Sequence, residues 1–279
     1  MRIDQALAWA VQQLEGGESP SVDAKVILAN ILEKSLTFLF TWPDKSLDAL
    51  QITQFKSAIA RRKKGEPVAY IVGKRDFWNL SLFTSPHTLI PRPDTEVLVE
   101  QALNWASENR CEPLSICDLG TGTGAIALAL ASELPHASVV GVDFQIGAVE
   151  LATRNAESNG VTNAQFLQSD WFSALTGQSF DIIVSNPPYI EETSPYLNKG
   201  DVRFEPKTAL TSGVDGLNDI RYIVNRSPQF LKQGALLAFE HGFDQGDSVR
   251  NLLLATGFSN VKTVKDYGEN DRVTFGCWL

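Results

Sequence analysis

Two short segments of this 279-residue chain combine residue types and spacings that can do chemistry. The first, Asp118-Leu119-Gly120-Thr121-Gly122-Thr123-Gly124, joins an apolar strand run, Leu114 to Cys117, to an Ala/Leu-rich helical run. Glycines let a backbone turn tightly and approach a bound molecule closely, and ligands of open α/β sheets collect beyond strand carboxyl ends. Asp143 closes the next strand run, where a carboxylate can accept both ribose hydroxyls of an adenosine. Two cofactor classes share a glycine loop followed by an acid. The dinucleotide fingerprint spaces its glycines G-x-G-x-x-G and lays a pyrophosphate on the helix N-terminus. Here the spacing is G-x-G-x-G behind an acid, Asp118. A carboxylate there repels pyrophosphate, yet can bind the ammonium of a methionine moiety directly or through water. After a third strand run, in Gln168-Ser169-Asp170-Trp171, Asp170 or the next amide can address an adenine edge. Trp171 can supply an aromatic face there, or simply pack beneath the loop.

The second segment is Asn186-Pro187-Pro188-Tyr189, directly after the buried-strand run Phe180 to Ser185. Consecutive prolines fix φ and remove two donors, leaving carbonyls free to accept. Asn186 offers an amide oxygen and an NH₂ group. A substrate NH₂ can therefore donate one hydrogen to the Asn186 side chain and another to the Pro187 carbonyl, while Tyr189 covers a planar face. This suits methyl transfer to a conjugated nitrogen, whose delocalised lone pair must be drawn out and aimed. Orientation and stabilisation of developing positive charge supply the gain, rather than a strong base. A rigid proline turn is the plain alternative; its place after the glycine loop and the ribose acid favours chemistry.

The elements that must hold these segments show as hydrophobic periodicity. Ile3, Leu7, Ala10, Val11 and Leu14 fall at helical spacing before Gly16-Gly17. Ser21 is the expected N-cap of a second helix carrying Ala24, Ile27, Leu28, Ile31 and Leu32. A third is expected from near Ser46 to the basic quartet Arg61–Lys64, where cations offset the dipole and Gly65 caps the end. Tyr70 to Ile90 reads as a β-hairpin, and Pro86, Pro91 and Pro93 mark a boundary. The expected division is a helical domain over 1–69, a hairpin linker over 70–90 and a catalytic domain over 91–279. In that last part helices at 94–108, 124–134, 145–158, 215–232 and 245–255 alternate with strands at 114–117, 138–142, 164–168, 180–185 and 235–239. Two final strands follow, the last, 272–279, expected antiparallel at an edge. Alternation of this kind indicates an α/β fold with a mostly parallel sheet.

Composition sets the outer limits. A net charge of -9 counts against a protein that lives on nucleic-acid phosphates. Cys111, Cys117 and Cys277 occupy no paired spacing, suggesting reduced thiols in the cytoplasm, with Cys117 a small buried hydrophobe. His87, His136 and His241 are scattered, and no metal site is read from them. Asp4 interrupts the apolar N-terminus, which lacks a signal-peptide design, and no stretch has the length of a membrane span.

The chain resembles the PrmC/HemK-type glutamine-N5 methyltransferases of peptide chain release factors along nearly its whole length. The resemblance rests on Gly65–Ile71 with Gly73, Leu89–Glu96, Asp118–Ile126, Ser169–Phe172 and Val184–Ile190. It continues through Phe204-Glu205-Pro206, Gly213–Leu217 and Glu240-His241-Gly242 with Gln245. It implies a Rossmann-like seven-stranded class I methyltransferase domain behind a small helical domain and a β-hairpin. The implied reaction methylates the glutamine of the Gly-Gly-Gln loop of class 1 release factors, using S-adenosylmethionine. Gly120, Thr121, Gly122, Thr123, Gly124, Asp143, Asp170, Trp171 and Asn186 would contact the cofactor. Asn186, Pro187, Pro188 and Tyr189 would hold the glutamine, with Asn186, Pro187 and Tyr189 catalytic. Phe144–Val149 departs from the family's usual residues after the ribose acid. A cytoplasmic monomer is expected, without direct nucleic-acid or membrane partners. Competing readings are a nucleic-acid amino methyltransferase, a ribosomal-protein glutamine methyltransferase and a cofactor-binding module without catalysis.

Overall fold

A computed structural model of the chain describes residues 1–109 and 113–279, so Cys111 lies outside the described residues. It divides into two units: Met1–Lys74 with Asn198–Phe204, and Arg75–Leu197 with Glu205–Leu279.

The first unit holds five helices, Ile3–Gln13 (α1), Pro20–Leu32 (α2), Leu36–Thr41 (α3), Ala49–Lys63 (α4) and Val68–Val72 (α5). Their apolar stripes meet in one core that buries Ile3, Ala6, Ile27, Leu28, Phe55 and Ile59. One start differs from expectation. Proline takes the first position of α2, where its missing N–H costs nothing, so Ser21 lies inside the helix. The start of α4 falls near Ser46 as expected, with Asp48 as its N-cap: its carboxylate accepts from Gln51 N at 2.8 Å, and Gln51 Oε1 accepts from Asp48 N at 3.0 Å. The short helices α3 and α5 carry too few turns to show a period; α5 sits where the hairpin was expected to begin. The basic quartet does more than offset a dipole. Arg61 pairs with Glu66, and Arg62 bonds Asp23 at 2.7 Å and Asp201 at 3.1 Å, with only 16% of its side chain exposed.

A hairpin, Lys74–Phe77 (β1) and Leu80–Phe83 (β2), starts at the last residue of the first segment and otherwise belongs to the second unit. The main body then alternates Glu96–Asn109 (α6), Ser115–Leu119 (β3), Ala125–Glu133 (α7), Ser138–Asp143 (β4), Ile146–Asn159 (α8), Ala164–Gln168 (β5) and Phe180–Ser185 (β6). It closes with Asn218–Arg226 (α9), Leu231–Glu240 (β7), Gly246–Thr256 (α10), Phe258–Lys265 (β8) and Asp271–Trp278 (β9). The helix expected over 215–232 is therefore only α9, because the Ser227-Pro228 turn stops it and the strand starts early. Asn155 staples the hairpin to α8: its amide accepts from Phe83 N at 2.7 Å and donates to Phe83 O at 3.1 Å. Leu80 and Leu82 are buried in this unit's core.

Seven strands form one sheet in the order β5-β4-β3-β6-β7-β9-β8. The first five run parallel, and β9 runs antiparallel to both neighbours. The final strand is thus not an edge, as its alternation suggested. It inserts between β7 and β8, pairing Ala238 with Phe275, and leaves β8 outermost. Side chains alternate between two apolar layers. Ile116, Ile182 and Val184 face the layer containing α6 and α7, while Cys117, Leu119 and Ile183 face the layer containing α9 and α10. Burial on both faces explains why the central strands read as continuous apolar runs.

One topological detail positions the site. The chain runs outward from β3 to β4 and β5, then returns to the other side of β3 as β6. Strand order reverses at β3, and the crevice beyond the carboxyl ends at such a point is where open sheets take ligands. The register pairs Leu119 with both Val142 and Ser185, so the loops after β3, β4 and β6 leave the sheet side by side.

Candidate active site

A cavity of about 260 Å³ opens beyond those three strand ends. Gly120, Thr121, Gly122 and Thr123 line it from β3, Asp143 from β4, Asp170 and Trp171 after β5, and Asn186 and Pro188 after β6. Gly124, Pro187 and Tyr189 are not among its lining residues.

The glycine loop is built for close approach. Gly120 and Gly122 take φ of +74° and +56°, and a Cβ on Gly122 would meet nothing nearer than Thr88 at 3.9 Å. That open face is backbone at the cavity wall. Gly124 serves packing instead: a Cβ there would lie 3.1 Å from Ala152 and 3.2 Å from Leu128. Asp143 accepts from Gly122 N and Gln145 N, each at 2.9 Å, one per oxygen. Each oxygen keeps acceptor capacity for a hydroxyl in the cavity. Burial raises the Asp143 pKa above the usual carboxylate range, opposed by those backbone donors.

Asp118 is fully buried and is not among the residues lining the cavity. Its Oδ2 accepts from Thr121 Oγ1 at 2.7 Å and from Ala127 N at 3.2 Å, bracing the loop against the start of α7. Oδ1 has no hydrogen-bond partner among the described residues, and desolvation pushes the carboxyl pKa up to about 7.

Trp171 adopts a left-handed backbone, φ +47°, a strained choice for so bulky a residue. Ser169 Oγ, donating to the Trp171 carbonyl at 2.7 Å, helps to hold it, and the ring lies against Gly120. The Asp170 carboxylate is exposed beside it.

The Asn186 loop is held from far away in sequence. Asn186 Nδ2 donates to Thr95 Oγ1 at 3.3 Å, so its Oδ1 is the end left to accept. The Tyr189 hydroxyl turns inward and donates to Glu240 Oε1 at 3.1 Å, and burial pushes its pKa up. Gln245 Nε2 donates to the Tyr189 carbonyl at 3.0 Å and to the Asp215 carbonyl at 3.2 Å. Gly216, at φ +71°, lets its chain pass that carbonyl: a Cβ would fall 2.1 Å from the Tyr189 oxygen.

With this geometry in place, comparison with known proteins is informative. Residues 5–73 match the PrmC N-terminal domain, and residues 112–225 match a methyltransferase domain. The chain is 53% identical to the release factor glutamine methyltransferase of Vibrio cholerae over 277 residues, covering 98% of this chain and 96% of that one. It is 49% identical to the protein of that name from Escherichia coli K12, covering 99% of each. The chain belongs to the release factor glutamine methyltransferases. Among solved structures, the Thermus thermophilus 16S rRNA N2 G1207 methyltransferase, in complex with AdoMet and guanosine, superposes with a TM-score of 0.56. At 23% identity, over 74% of this chain and 50% of that one, this likeness shows the class I methyltransferase fold alone.

In this member of the release factor glutamine methyltransferases, residues that sequence left without a role acquire one. Arg92 Nη2 bonds both oxygens of buried Glu205, at 2.8 and 2.7 Å, and Ile90 N donates to Glu205 at 3.2 Å. Glu96 accepts from Trp78 N at 3.0 Å. Both acids order the segment entering α6. Thr95 and Glu240 were not singled out by sequence reasoning; Glu240 appeared only inside a family motif, and its partner is distant in the chain. Cys117 is buried with its thiol pKa raised by burial, as a packing residue's would be. Among the described residues no cluster of three or more His, Cys, Asp or Glu could hold a metal, and no helix is long and apolar enough to cross a membrane.

Proposed function

We propose that this chain methylates the side-chain amide nitrogen (N5) of the glutamine in the Gly-Gly-Gln loop of class 1 peptide chain release factors, tuning translation termination. S-adenosylmethionine is the proposed donor; its sulfonium would supply an electrophilic methyl, the C–S bond breaking to leave the neutral thioether S-adenosylhomocysteine. The observation carrying this reading is the shared cavity, with Asp143 and the glycine loop on one side and the free Asn186 Oδ1 on the other.

The residues present fit that cofactor. Gly120, Thr121 and Gly122 line the cavity wall, Thr123 and Gly124 hold the turn into α7, and Asp143 has acceptor capacity for a ribose. Asp170 and Trp171 fit an adenine edge and face. Asn186 Oδ1 and the Pro187 carbonyl accept the two hydrogens of the glutamine amide, which stops its rotation and aims the nitrogen lone pair. Preorganised acceptors also favour the positive charge that grows on nitrogen before one proton departs to solvent. Pro187 and Pro188 keep the loop rigid and free of competing donors. Tyr189, anchored through its hydroxyl, fixes the end of the loop while its ring borders the amide.

Residues 1–69 are proposed to dock the protein substrate, 70–90 to link, and 91–279 to carry the reaction, in a cytoplasmic monomer that contacts neither nucleic acid nor membrane directly. The test is transfer of labelled methyl to a purified release factor, followed by peptide mapping. The expected result is label on the loop glutamine. Label on nucleic acid or on a ribosomal protein, with none on the release factor, would overturn it.

A further inference from the structure

Charge is unevenly divided around the cavity. Asp143, Asp170 and Asp219 line it, and Arg92 is the one lysine or arginine among the described lining residues. The contacts given above to Asp143, Asp170, Trp171 and Asn186 leave Arg92 without a ligand group to meet. Its guanidinium is held from behind. Arg92 Nη2 donates to both oxygens of Glu205, at 2.8 and 2.7 Å. The Glu205 side chain is 0% exposed, while 32% of the Arg92 side chain stays accessible. A buried carboxylate holds its cation firmly, because losing the partner would leave a bare charge in the core. Nη2 thus commits both of its hydrogens to Glu205. A guanidinium has five N–H donors, and those on Nε and Nη1 make no hydrogen bond among the described residues. Glu205 therefore fixes one end of the group and leaves three donors available.

The stretch carrying Arg92 runs along the cavity wall. At one end Thr88 adjoins the glycine loop, its Cβ 3.9 Å from where a Cβ on Gly122 would stand, and Gly122 N donates to Asp143. At the other end Thr95 accepts from Asn186 Nδ2 at 3.3 Å. A cofactor with its ribose at Asp143 and its sulfonium toward Asn186 would share this wall with Arg92. The ammonium and sulfonium of S-adenosylmethionine suit a cavity lined by three acids; its one anion, the α-carboxylate of the amino-acid tail, does not. That carboxylate needs donors once it leaves water. We propose that Arg92 is a further cofactor-binding residue, donating from Nε or Nη1 to the α-carboxylate of S-adenosylmethionine. This rests on the proposed function, in which that cofactor fills the cavity. Glu205 offsets much of the Arg92 charge, so recognition comes through directed N–H donors more than through net attraction. His87 also lines the cavity, but its ring lies against Gly147, just past the ribose acid.

Two ligands and two variants test this by calorimetry on the full chain. S-adenosylhomocysteine carries the carboxylate, whereas its decarboxylated analogue keeps the adenosine, the thioether and the amine. The wild type should bind the first more tightly by about 10-fold or more, the scale of a hydrogen bond to a charged group. Arg92→Gln should bring the two affinities within about threefold of each other, by weakening S-adenosylhomocysteine and leaving the decarboxylated ligand nearly unchanged. Because both ligands are read on the same protein, a general loss of stability cancels in the ratio. Arg92→Gln leaves Glu205 buried without its cation, so Arg92→Gln/Glu205→Gln removes both charges and should give the same lowered ratio. A wild type that fails to bind S-adenosylhomocysteine would overturn the cofactor reading and this proposal together. Equal wild-type affinities for the two ligands, or a wild-type ratio that survives in the variants, would overturn this proposal alone. So would an unchanged S-adenosylhomocysteine affinity joined to a raised KM for the release factor, which would assign Arg92 to the protein substrate. Should Arg92→Gln fail to fold, the double variant still decides.

Discussion

The loops after β3 and β6 leave adjacent strands and border one cavity, yet they are held by different means. The glycine loop is braced by its own neighbourhood: Asp118 bonds Thr121 and Ala127, and Asp143 bonds Gly122. The Asn186 loop is fixed by Thr95, Glu240, Gln245 and Gly216, all remote in sequence. The contrast follows from the two tasks. Binding a cofactor asks mainly for exposed backbone and one acid, which a tight turn can present unaided. Aiming a weakly nucleophilic amide asks for side-chain directions fixed within fractions of an ångström, which needs support from several elements.

Four outcomes would sharpen or break that contrast. The largest concerns Asn186→Ala, expected to lower turnover by about 10²- to 10³-fold, the range for losing one transition-state acceptor. Calorimetric cofactor affinity should change less than about threefold, since the bulk of that site lies on β3 and β4. Parallel losses in both would merge the two loops into one binding device. Asp143→Ala is expected to do the reverse. It should weaken cofactor binding by about 10- to 100-fold, as for hydrogen bonds to a charged group, with turnover largely recovered at saturating cofactor. Unchanged affinity would remove Asp143 from the site.

Gly216→Ala probes the long-range support. Its Cβ would meet the Tyr189 oxygen at 2.1 Å and its φ is +71°, so denaturant unfolding should show a loss of about 1–3 kcal/mol. Gly122→Ala has open space around its Cβ and should cost less stability while still impairing cofactor binding. Equal stability losses would deny that the loops are built differently.

The fourth outcome is a pH dependence. Asp118 titrates near 7 in the folded chain against a reference of 3.8. The folded state therefore holds a proton that the unfolded chain gives up. The resulting stability is fully present below about pH 4 and is lost as pH rises through about 7. Denaturant midpoints should fall on going from about pH 5 to about pH 8, and the Asp118→Asn variant should show a shallower fall. Identical slopes would mean that other groups carry the dependence.

The same contrast governs what the sequence could reveal. The glycine loop and Asp118 were legible because they are contiguous, and Asp143 because it ends the very next strand after the loop and its helix. The seven-stranded α/β fold followed from alternation. The insertion of β9 between β7 and β8 did not, because an alternating strand looks alike at an edge and inside an antiparallel pair. Helices α3 and α5 were hidden by their brevity, and α9 was overextended across Pro228. Asn186, Pro187, Pro188 and Tyr189 were visible as a motif, but the inward turn of the Tyr189 hydroxyl was not. Pairings such as Arg92 with Glu205, and Tyr189 with Glu240, depend on folding that joins distant segments.

The account stands on the pose of a glutamine amide in the Asn186 loop, and a crystal structure of the chain with a release factor and S-adenosylhomocysteine would observe it. The expected result places the amide nitrogen within hydrogen-bonding distance of Asn186 Oδ1 and the Pro187 carbonyl, in line with the cofactor sulfur. A glutamine bound elsewhere, or an Asn186 amide presenting its NH₂ to the substrate nitrogen, would contradict it.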